Sequence, residues 1–457
     1  LATRPCQPPE WVKDAVFYQI FPDRFRNGDP SNDPPGTRPW GEIPDRISTF
    51  GGDLQGICDK LHYLQSLGVT AIYLTPIFQA PSNHKYDTQD YFQVDPAFGG
   101  NRALRELVGE AHARGMKVVL DGVFNHCGDH HPFFQDVLAR GPASPYWNWF
   151  EVWGDRVVRK PEPNYACWAG VPSMPEWNHG NPEVREYLLG VVRHWLCEYA
   201  IDGWRLDTGD YLPPDFVREL YSLVKEVNPQ AYVLGEVMGI AASWFKFQAL
   251  DGAMNYRLRE GLVAFFARGE WSADRFAHFL YGLRRSYPPE NTFAMYNLVG
   301  SHDTPRFLTL CRGDRRRLIL AYAFLFTYPG APAIYYGDEV GLEGGEDPDC
   351  RRTFPWEEHL WDQTIQTPIR KLSQLRRASP ALRRGELRPW QARGKLLSFL
   401  RVGGREQVLV ALNAGEEAQR LGLPAPGPWR DLLAGQGSWR TEVPVPPLGM
   451  RLLRRRG

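Results

Sequence analysis

The chain lacks an excess of charge of either sign: 53 lysines and arginines stand against 53 aspartates and glutamates over 457 residues. A balanced chain creates no long-range field to gather phosphates or an anionic bilayer. Nucleic acid and the membrane surface are therefore excluded as expected partners, and an uncharged one is favoured. Long apolar runs are missing too. Nothing approaches the roughly 18 consecutive apolar residues of a membrane span, and the opening "LATRPCQPPEWVKDAVF" has no apolar signal-peptide core. Residue 1 is Leu rather than Met, so removal of a leader, and with it secretion, stays open. Cysteines are few. Cys6, Cys58, Cys127, Cys167, Cys197, Cys311 and Cys350 are odd in number, scattered, and without the spacing of a metal site or disulfide framework. Reduced, mostly buried thiols and a cytoplasmic location are expected. No short-period repeat or low-complexity tract is present.

What the chain does have is strand-like runs in a regular alternation with helical ones. "AVFYQIF" (15–21), "AIYLTP" (71–76), "KVVLDGVF" (117–124), "GWRLD" (203–207), "YVLGE" (232–236), "GAMN" (252–255), "MYNLVG" (295–300) and "AIYYG" (333–337) read as buried strands. Between them, "DLQGICDKLHYLQSLG" places Ile57, Leu61 and Leu64 on one helical face and stops at Gly68. "NRALRELVGEAHARG" opens on Asn101, and "NPEVREYLLGVVRHWL" begins with Asn181 as cap and Pro182 in the first turn. Eight strand–helix units imply parallel pairing through crossovers. They close most naturally into a (β/α)8 TIM barrel, with a doubly wound open sheet as the alternative.

The segment 126–180 is too long for a simple connection and shows no helix before Asn181. It reads as an inserted subdomain after strand three, rich in aromatics. From 385 to 457 alternating runs such as "KLLSFLRV" and "EQVLVALN" predict a C-terminal antiparallel β-sandwich domain, leaving 1–125 and 181–384 as the barrel. The sixteen tryptophans suit the flat faces of sugar rings, although large aromatics fill cores as well.

Acids at the C-terminal ends of barrel strands point into one shared mouth. Asp207 ends strand four, Glu236 ends strand five, and Asp303 follows strand seven. Carboxyls gathered there resist full ionisation, which yields a proton donor beside an ionised partner. Glycosidic bond cleavage needs that pair: one acid protonates the leaving oxygen, the other attacks or stabilises the sugar carbon. A single strand-end acid would more simply cap a turn or pair with a cation; three at one mouth argue for chemistry.

"DGVFNH" (121–126), "GWRLD" (203–207), "LGEV" (234–237) and "GSHDTPR" (300–306) resemble the four motif regions of the α-amylase family, glycoside hydrolase family 13. "YQIFPDRFRNGDPSNDP", "LTPIFQAPSNHKYDTQDYFQVDPAFG" and "YYGDEVGLEGGEDPDCRR" are similar to its neopullulanase, cyclomaltodextrinase and maltogenic amylase group. The resemblance implies Asp207 as nucleophile, kept ionised by Arg205, Glu236 as general acid and then base, and Asp303 as the group that grips sugar hydroxyls. It implies hydrogen bonds from His126 and His302 to the same sugar, Tyr86 stacked beneath it, and Asp347 and Arg351 clamping the next one. Asp121 and Asn125 are expected to support the site.

Asn27, Asp29, Asn32 and Asp33 in "NGDPSND", with the Gly51 carbonyl and Asp53, offer oxygen ligands suited to a structural calcium ion, although an Asx-rich turn explains them also. The expected function is retaining hydrolysis of α-1,4 bonds in maltooligosaccharides, cyclodextrins, pullulan or starch. A 4-α-glucanotransferase is the first alternative and a non-catalytic glucan-binding scaffold the second. The group commonly carries an N-terminal β-domain through which it dimerises; this chain begins just ahead of the barrel. A monomer, or a dimer made otherwise, is expected. After the nucleophile the group commonly shows Val-Ala-Asn where Thr208, Gly209 and Asp210 stand here. Met238 replaces a Trp and implies weaker transfer to sugar acceptors. "MPEWN" brings Trp177 as either a stacking surface or a packing residue.

Overall fold

The computed structural model describes residues 7–435 and 438–456, so Cys6 lies outside the described residues. Eight parallel strands form the barrel: β1 (Phe17–Ile20), β2 (Ala71–Leu74), β3 (Lys117–Gly122), β4 (Gly203–Leu206), β5 (Tyr232–Gly235), β6 (Gly252–Ala253), β7 (Tyr296–Asn297) and β8 (Ala331–Tyr335). Their order is β6-β5-β4-β3-β2-β1-β8-β7, and a parallel bridge between Met254 and Tyr296 joins the two ends into a ring. Nearly every strand residue is buried, because helices cover the outside and side chains fill the inside.

Period-two alternation decides what enters the barrel. On β4, Trp204 and Leu206 pack outward into the large core shared with the helices. Arg205 and, one step past the strand, Asp207 take the opposite face. Below them Phe17, Tyr73, Val119, Tyr232, Leu234, Met254 and Tyr296 close the barrel interior. Polar chemistry is thus confined to the C-terminal mouth.

The helices follow local signals with two departures. The segment expected as one helix to Gly68 is two, Leu54–Asp59 and Leu61–Leu67, broken where Lys60 leaves helical geometry. The helix expected to open on Asn101 begins at Gly100. Asn101 instead accepts the Val94 N–H at 2.7 Å and donates to the Phe92 carbonyl, tying the helix to the preceding strand. Pro182–Glu198 starts as read, with the Asn181 side chain accepting the Glu183 N–H.

Between β3 and Asn181 the chain does contain a helix, Pro132–Arg140, contrary to expectation. Pro132 in its first turn, the His131 cap and Gly141 behind it are ordinary start and stop signals, and Phe134 and Val137 form its buried face. Antiparallel bridges Phe150–Trp177, Val152–Tyr165 and Cys167–Pro175 organise the rest. Trp177 is buried in this unit, stacked on Phe150 with ring centroids 5.1 Å apart and donating to the Tyr91 hydroxyl, so it packs and does not face a ligand.

The C-terminal domain comprises β9 (Glu386–Arg393), β10 (Leu396–Gly403), β11 (Glu406–Asn413), β12 (Gln419–Gly422), β13 (Trp429–Asp431), β14 (Ser438–Trp439), β15 (Glu442–Val445) and β16 (Gly449–Arg456). An antiparallel sheet ordered β9-β10-β11-β16-β13-β14 faces the β12–β15 pair. Leu396, Leu409, Leu421, Trp429, Val443 and Leu453 fill the space between. The alternate residues Leu397, Phe399, Val408, Val410 and Leu452 join the barrel core, so the domain is docked through apolar surface.

One buried acid links the architecture to pH. Glu339, in the turn after β8, accepts the hydroxyls of Tyr18 and Tyr63 at 2.7 Å each and the Gly337 N–H at 3.0 Å. No cation pairs with it among the described residues, and burial pushes its carboxyl up to about 7. The folded chain therefore holds this proton more tightly than the unfolded one, whose ordinary value is 4.5. The contribution to stability is full below that value and lost as pH rises toward 7, a span worth ~3 kcal/mol at most. Glu339→Gln is expected to flatten this part of the stability profile in denaturant melts between pH 4.5 and 7.5; parallel profiles for the two proteins would contradict it.

Candidate active site

Strand ends deliver the acids. Asp207 follows β4 with its N–H bonded to the Gly122 carbonyl at 3.1 Å, and Glu236 follows β5 with its N–H on the Leu206 carbonyl at 3.0 Å, so both backbones are pinned by neighbouring strands. The Arg205 guanidinium pairs with both acids: Nη1 donates to Asp207 Oδ1 at 2.8 Å, and Nη2 lies 3.0 Å from Glu236 Oε2 as an ion pair without hydrogen-bond geometry. Nη1 also meets Asp121, at 2.8 and 3.0 Å. Asp121 in turn accepts the Tyr73 hydroxyl at 2.6 Å and the Tyr86 hydroxyl at 3.0 Å.

Around this single buried cation the carboxyls compete. Burial pushes Asp207 well above the usual carboxylate range; Arg205 opposes this, and Glu236, Asp121 and Asp303 add to it. Burial raises Glu236 as well, again opposed by Arg205 and reinforced by Asp303. Asp121 is raised to about 6, chiefly by burial. Three acids, Asp121, Asp207 and Glu236, share one buried guanidinium and hold a proton among them near neutral pH, and that proton belongs to the cluster.

Asp303 is the most open of the acids, with 40% of its side chain exposed. Arg351 Nη2 reaches it at 3.3 Å while Nη1 holds Asp347 at 3.1 Å and Nε donates to the His302 carbonyl at 2.8 Å. His302 Nδ1 faces the Gln19 amide nitrogen at 2.7 Å, which leaves the proton on Nε2, 2.6 Å from the Tyr86 hydroxyl and 3.2 Å from Asp303. Burial holds the ring neutral, and Arg351 and Arg205 add to that effect. The His302 and Tyr86 rings lie nearly parallel, 5.6 Å apart. His126, held neutral by burial down to about 3, keeps a buried Nε2 without a protein partner.

Asp207, Glu236, Asp303, Tyr86, His126, Asp347 and Arg351 line one cavity of about 540 Å³, with Arg205 and His302 buried against its wall. The cavity size and the mixture of rings and acids suit a sugar unit or two. Asn125, whose amide reaches Glu176, supports the insert. Sequence reasoning missed Arg46, His84, Trp168, Val171 and Met174 in the same lining. Three of these come from the insert, where Trp168 lies 5.7 Å from the His126 ring. Met238, by contrast, is exposed.

The β1 loop lies apart from the acids, with Asn27 and Asp33 in a different cleft beside Trp40 and Trp356. Asp53 spends both oxygens on protein donors: the N–H groups of Gly56, Gly28 and Asp29 and the Asn32 amide. Asp29 accepts from Ser31. Asn27 Oδ1 and Asn32 Oδ1 are buried without partners, and Gly51 (φ 76°) approaches so closely that a Cβ would sit 2.2 Å from Asp33 Oδ1. Among the described residues no three acidic, histidine or cysteine side chains form a metal cluster. Amide and main-chain oxygens would therefore have to supply much of any cation's shell, which suits a hard ion.

Comparison with known proteins agrees with this geometry. The family described as "Alpha amylase, catalytic domain" matches residues 19–379. A cyclomaltodextrinase from Geobacillus thermopakistaniensis is 46% identical over 436 residues, 94% of this chain and 74% of the relative. Neopullulanase 2 of Thermoactinomyces vulgaris is 46% identical over 437 residues, with the same coverage. The ligand-free structure of cyclic α-maltosyl-(1→6)-maltose hydrolase from Arthrobacter globiformis superposes with a TM-score of 0.93 at 41% identity, covering 98% of this chain and 100% of that one. The chain belongs to the α-amylase family and is a glycoside hydrolase of the neopullulanase, cyclomaltodextrinase and maltogenic amylase type.

Proposed function

We propose that this enzyme cleaves α-1,4-glucosidic bonds of maltooligosaccharides, cyclodextrins, pullulan or starch with retention, Asp207 acting as nucleophile and Glu236 as acid and base. The observation that carries the proposal is the shared Arg205 guanidinium, with contacts of 2.8 and 3.0 Å to the two carboxyls. Both carboxyls, held by one guanidinium, stand at one site where a single sugar can meet them, as cleavage by a pair of carboxyl groups requires, and retention follows the family's mechanism. Glu236 gives its proton to the glycosidic oxygen as the C1–O bond breaks and Asp207 Oδ bonds to C1. Glu236, now ionised, takes a proton from water, whose oxygen displaces Asp207. The positive charge that develops on the ring between these steps is met by Asp207 and Asp303, stronger in the transition state than in the ground state. His126 and His302 bind hydroxyls of the reacting sugar, Tyr86 packs beneath it, and Asp347 with Arg351 holds the next unit.

Product profiles on β-cyclodextrin, pullulan and soluble starch, run side by side, test the substrate assignment: glucose and maltose are expected. Longer oligosaccharides dominating at high maltotriose would identify a glucanotransferase instead. Thr208, which lines the cavity, favours α-1,4 over α-1,6 bonds in this reading. Panose is therefore expected to be cut at its α-1,6 bond far more slowly than maltotriose is hydrolysed, and equal rates would refute it.

A structural calcium ion in the β1 loop, held by Asn27, Asn32, Asp33 and the Gly51 carbonyl, completes the proposal; its support is the unpartnered amide oxygens. Burial and the neighbouring Asp53, Asp23 and Asp29 raise Asp33, a repulsion that a cation offsets. Chelation is expected to lower Tm by a few degrees, with calcium at about 100 times its Kd restoring ~2.7 kcal/mol. An unchanged Tm would exclude the ion. The six described cysteines are all free, and a relative is named intracellular maltogenic amylase, which together support a cytoplasmic location.

A further inference from the structure

The turn after the nucleophile is bound to the turn after the acid/base at two points. The Thr208 N–H donates to Glu236 Oε2 at 2.8 Å, and Asp210 Oδ2 accepts the Met238 N–H, also at 2.8 Å. Gly209 lies between, so close to the β5 end that a Cβ there would stand 2.8 Å from the Glu236 carbonyl oxygen. Thr208 adopts φ 45° and ψ 44°, a left-handed conformation that costs a β-branched residue energy and persists only where surrounding contacts impose it. These contacts converge on one strand end and leave Asp210, an exposed carboxylate, fastened two residues beyond Glu236.

We propose that Asp210 is a positioning residue for the acid/base: its hydrogen bond fixes the Glu236 turn, and its negative charge keeps the Glu236 proton in place for donation. The inference rests on Glu236 being the acid/base. The charged and titratable groups around Glu236 are Arg205 on β4, Asp207 and Asp210 after it, Asp121 on β3, Tyr256 after β6 and Asp303 after β7. Arg205 alone among them favours the ionised form. Asp303 and Asp210 both raise the Glu236 carboxyl. Arg205, Asp121, Tyr256 and Asp210 all stand outside the lining of the sugar cavity, and Asp210 is the exposed one of the four, so its charge can be changed without removing a substrate contact or unpairing a buried ion. A charge at an exposed position acts through water and is screened by salt.

Asp210→Asn tests this directly, since an asparagine oxygen can still accept the Met238 N–H while the charge is gone. The alkaline limb of kcat/KM, which reports loss of the donated proton, is expected to move to lower pH by a few tenths of a unit at low ionic strength, and the shift should shrink in molar salt. Asp210→Ala loses the hydrogen bond too, and kcat should fall further with KM little changed. Wild-type and Asp210→Asn profiles that superpose at low salt would overturn the proposal. Glu236→Gln is run in parallel: if it retained ordinary activity and the alkaline limb, the assignment of Glu236 would fail; if it were inactive while Asp210→Asn matched wild type, only the role of Asp210 would.

Discussion

Glu236→Gln is expected to lower kcat/KM for maltotriose by about 10³-fold, the range in which removing a general acid falls. The fold should survive, because the amide can still accept the Thr208 N–H and no buried ion is left alone: Arg205 keeps Asp121 and Asp207. The informative measurement is a change of substrate. α-Glucosyl fluoride needs no proton on its leaving group, so the first step should recover while breakdown of the ester, which needs Glu236 as base, stays slow. The intermediate then accumulates and a burst of fluoride appears. Asp207→Asn should be inactive on both substrates, because the nucleophile cannot be bypassed. A Glu236→Gln enzyme that treats maltotriose and the fluoride alike would remove Glu236 from the chemistry.

Arg205→Leu carries the other large effect, and it falls on stability as much as on rate. The side chain is fully buried, and its guanidinium is the cation common to Asp121, Asp207 and Glu236. Removing one partner of a buried ion pair leaves uncompensated charge and costs about 3–5 kcal/mol. Urea denaturation at pH 7 should show that loss. Part of it should return in the double variant with Asp121→Asn, which removes a carboxylate that Arg205 had balanced. Arg205 opposes the rise of Asp207, so without it that carboxyl titrates higher still. Asp207 attacks as an anion, and the acid limb of kcat/KM must therefore move to higher pH. Arg205→Lys retains the charge but not the planar fork, so more stability than activity should survive. Equal stabilities of Arg205→Leu and wild type would show that the acids do not depend on it.

What the sequence made legible follows from where each signal originates. The eight barrel strands could be read because each is a short run buried on both faces, and the alternation through Trp204, Arg205, Leu206 and Asp207 already separates outward packing from inward chemistry. Asp207, Glu236 and Asp303 could be placed at one mouth by topology alone. Residues that reach the cavity from irregular chain could not. Arg46, His84, Trp168, Val171 and Met174 carry no periodicity, and only the folded insert and loops bring them to the site. The helix Pro132–Arg140 was obscured by its length: nine residues among aromatics give a weak repeat, though Pro132 and Gly141 marked its ends. Trp177 could face a ligand or a core with equal sense from its neighbours, and the packing against Phe150 decided it. Asp53 shows the same ambiguity, since an acid that caps a helix and an acid that binds a cation look alike in sequence.

Covalent labelling tests the central claim most directly. A fluorinated α-glucosyl fluoride that forms the ester faster than it is hydrolysed should add one sugar mass to the protein, and peptide mapping should place it on Asp207. Label on Glu236, on Asp303 or on any other residue, or rapid turnover of the ordinary substrate to an inverted product, would contradict the account.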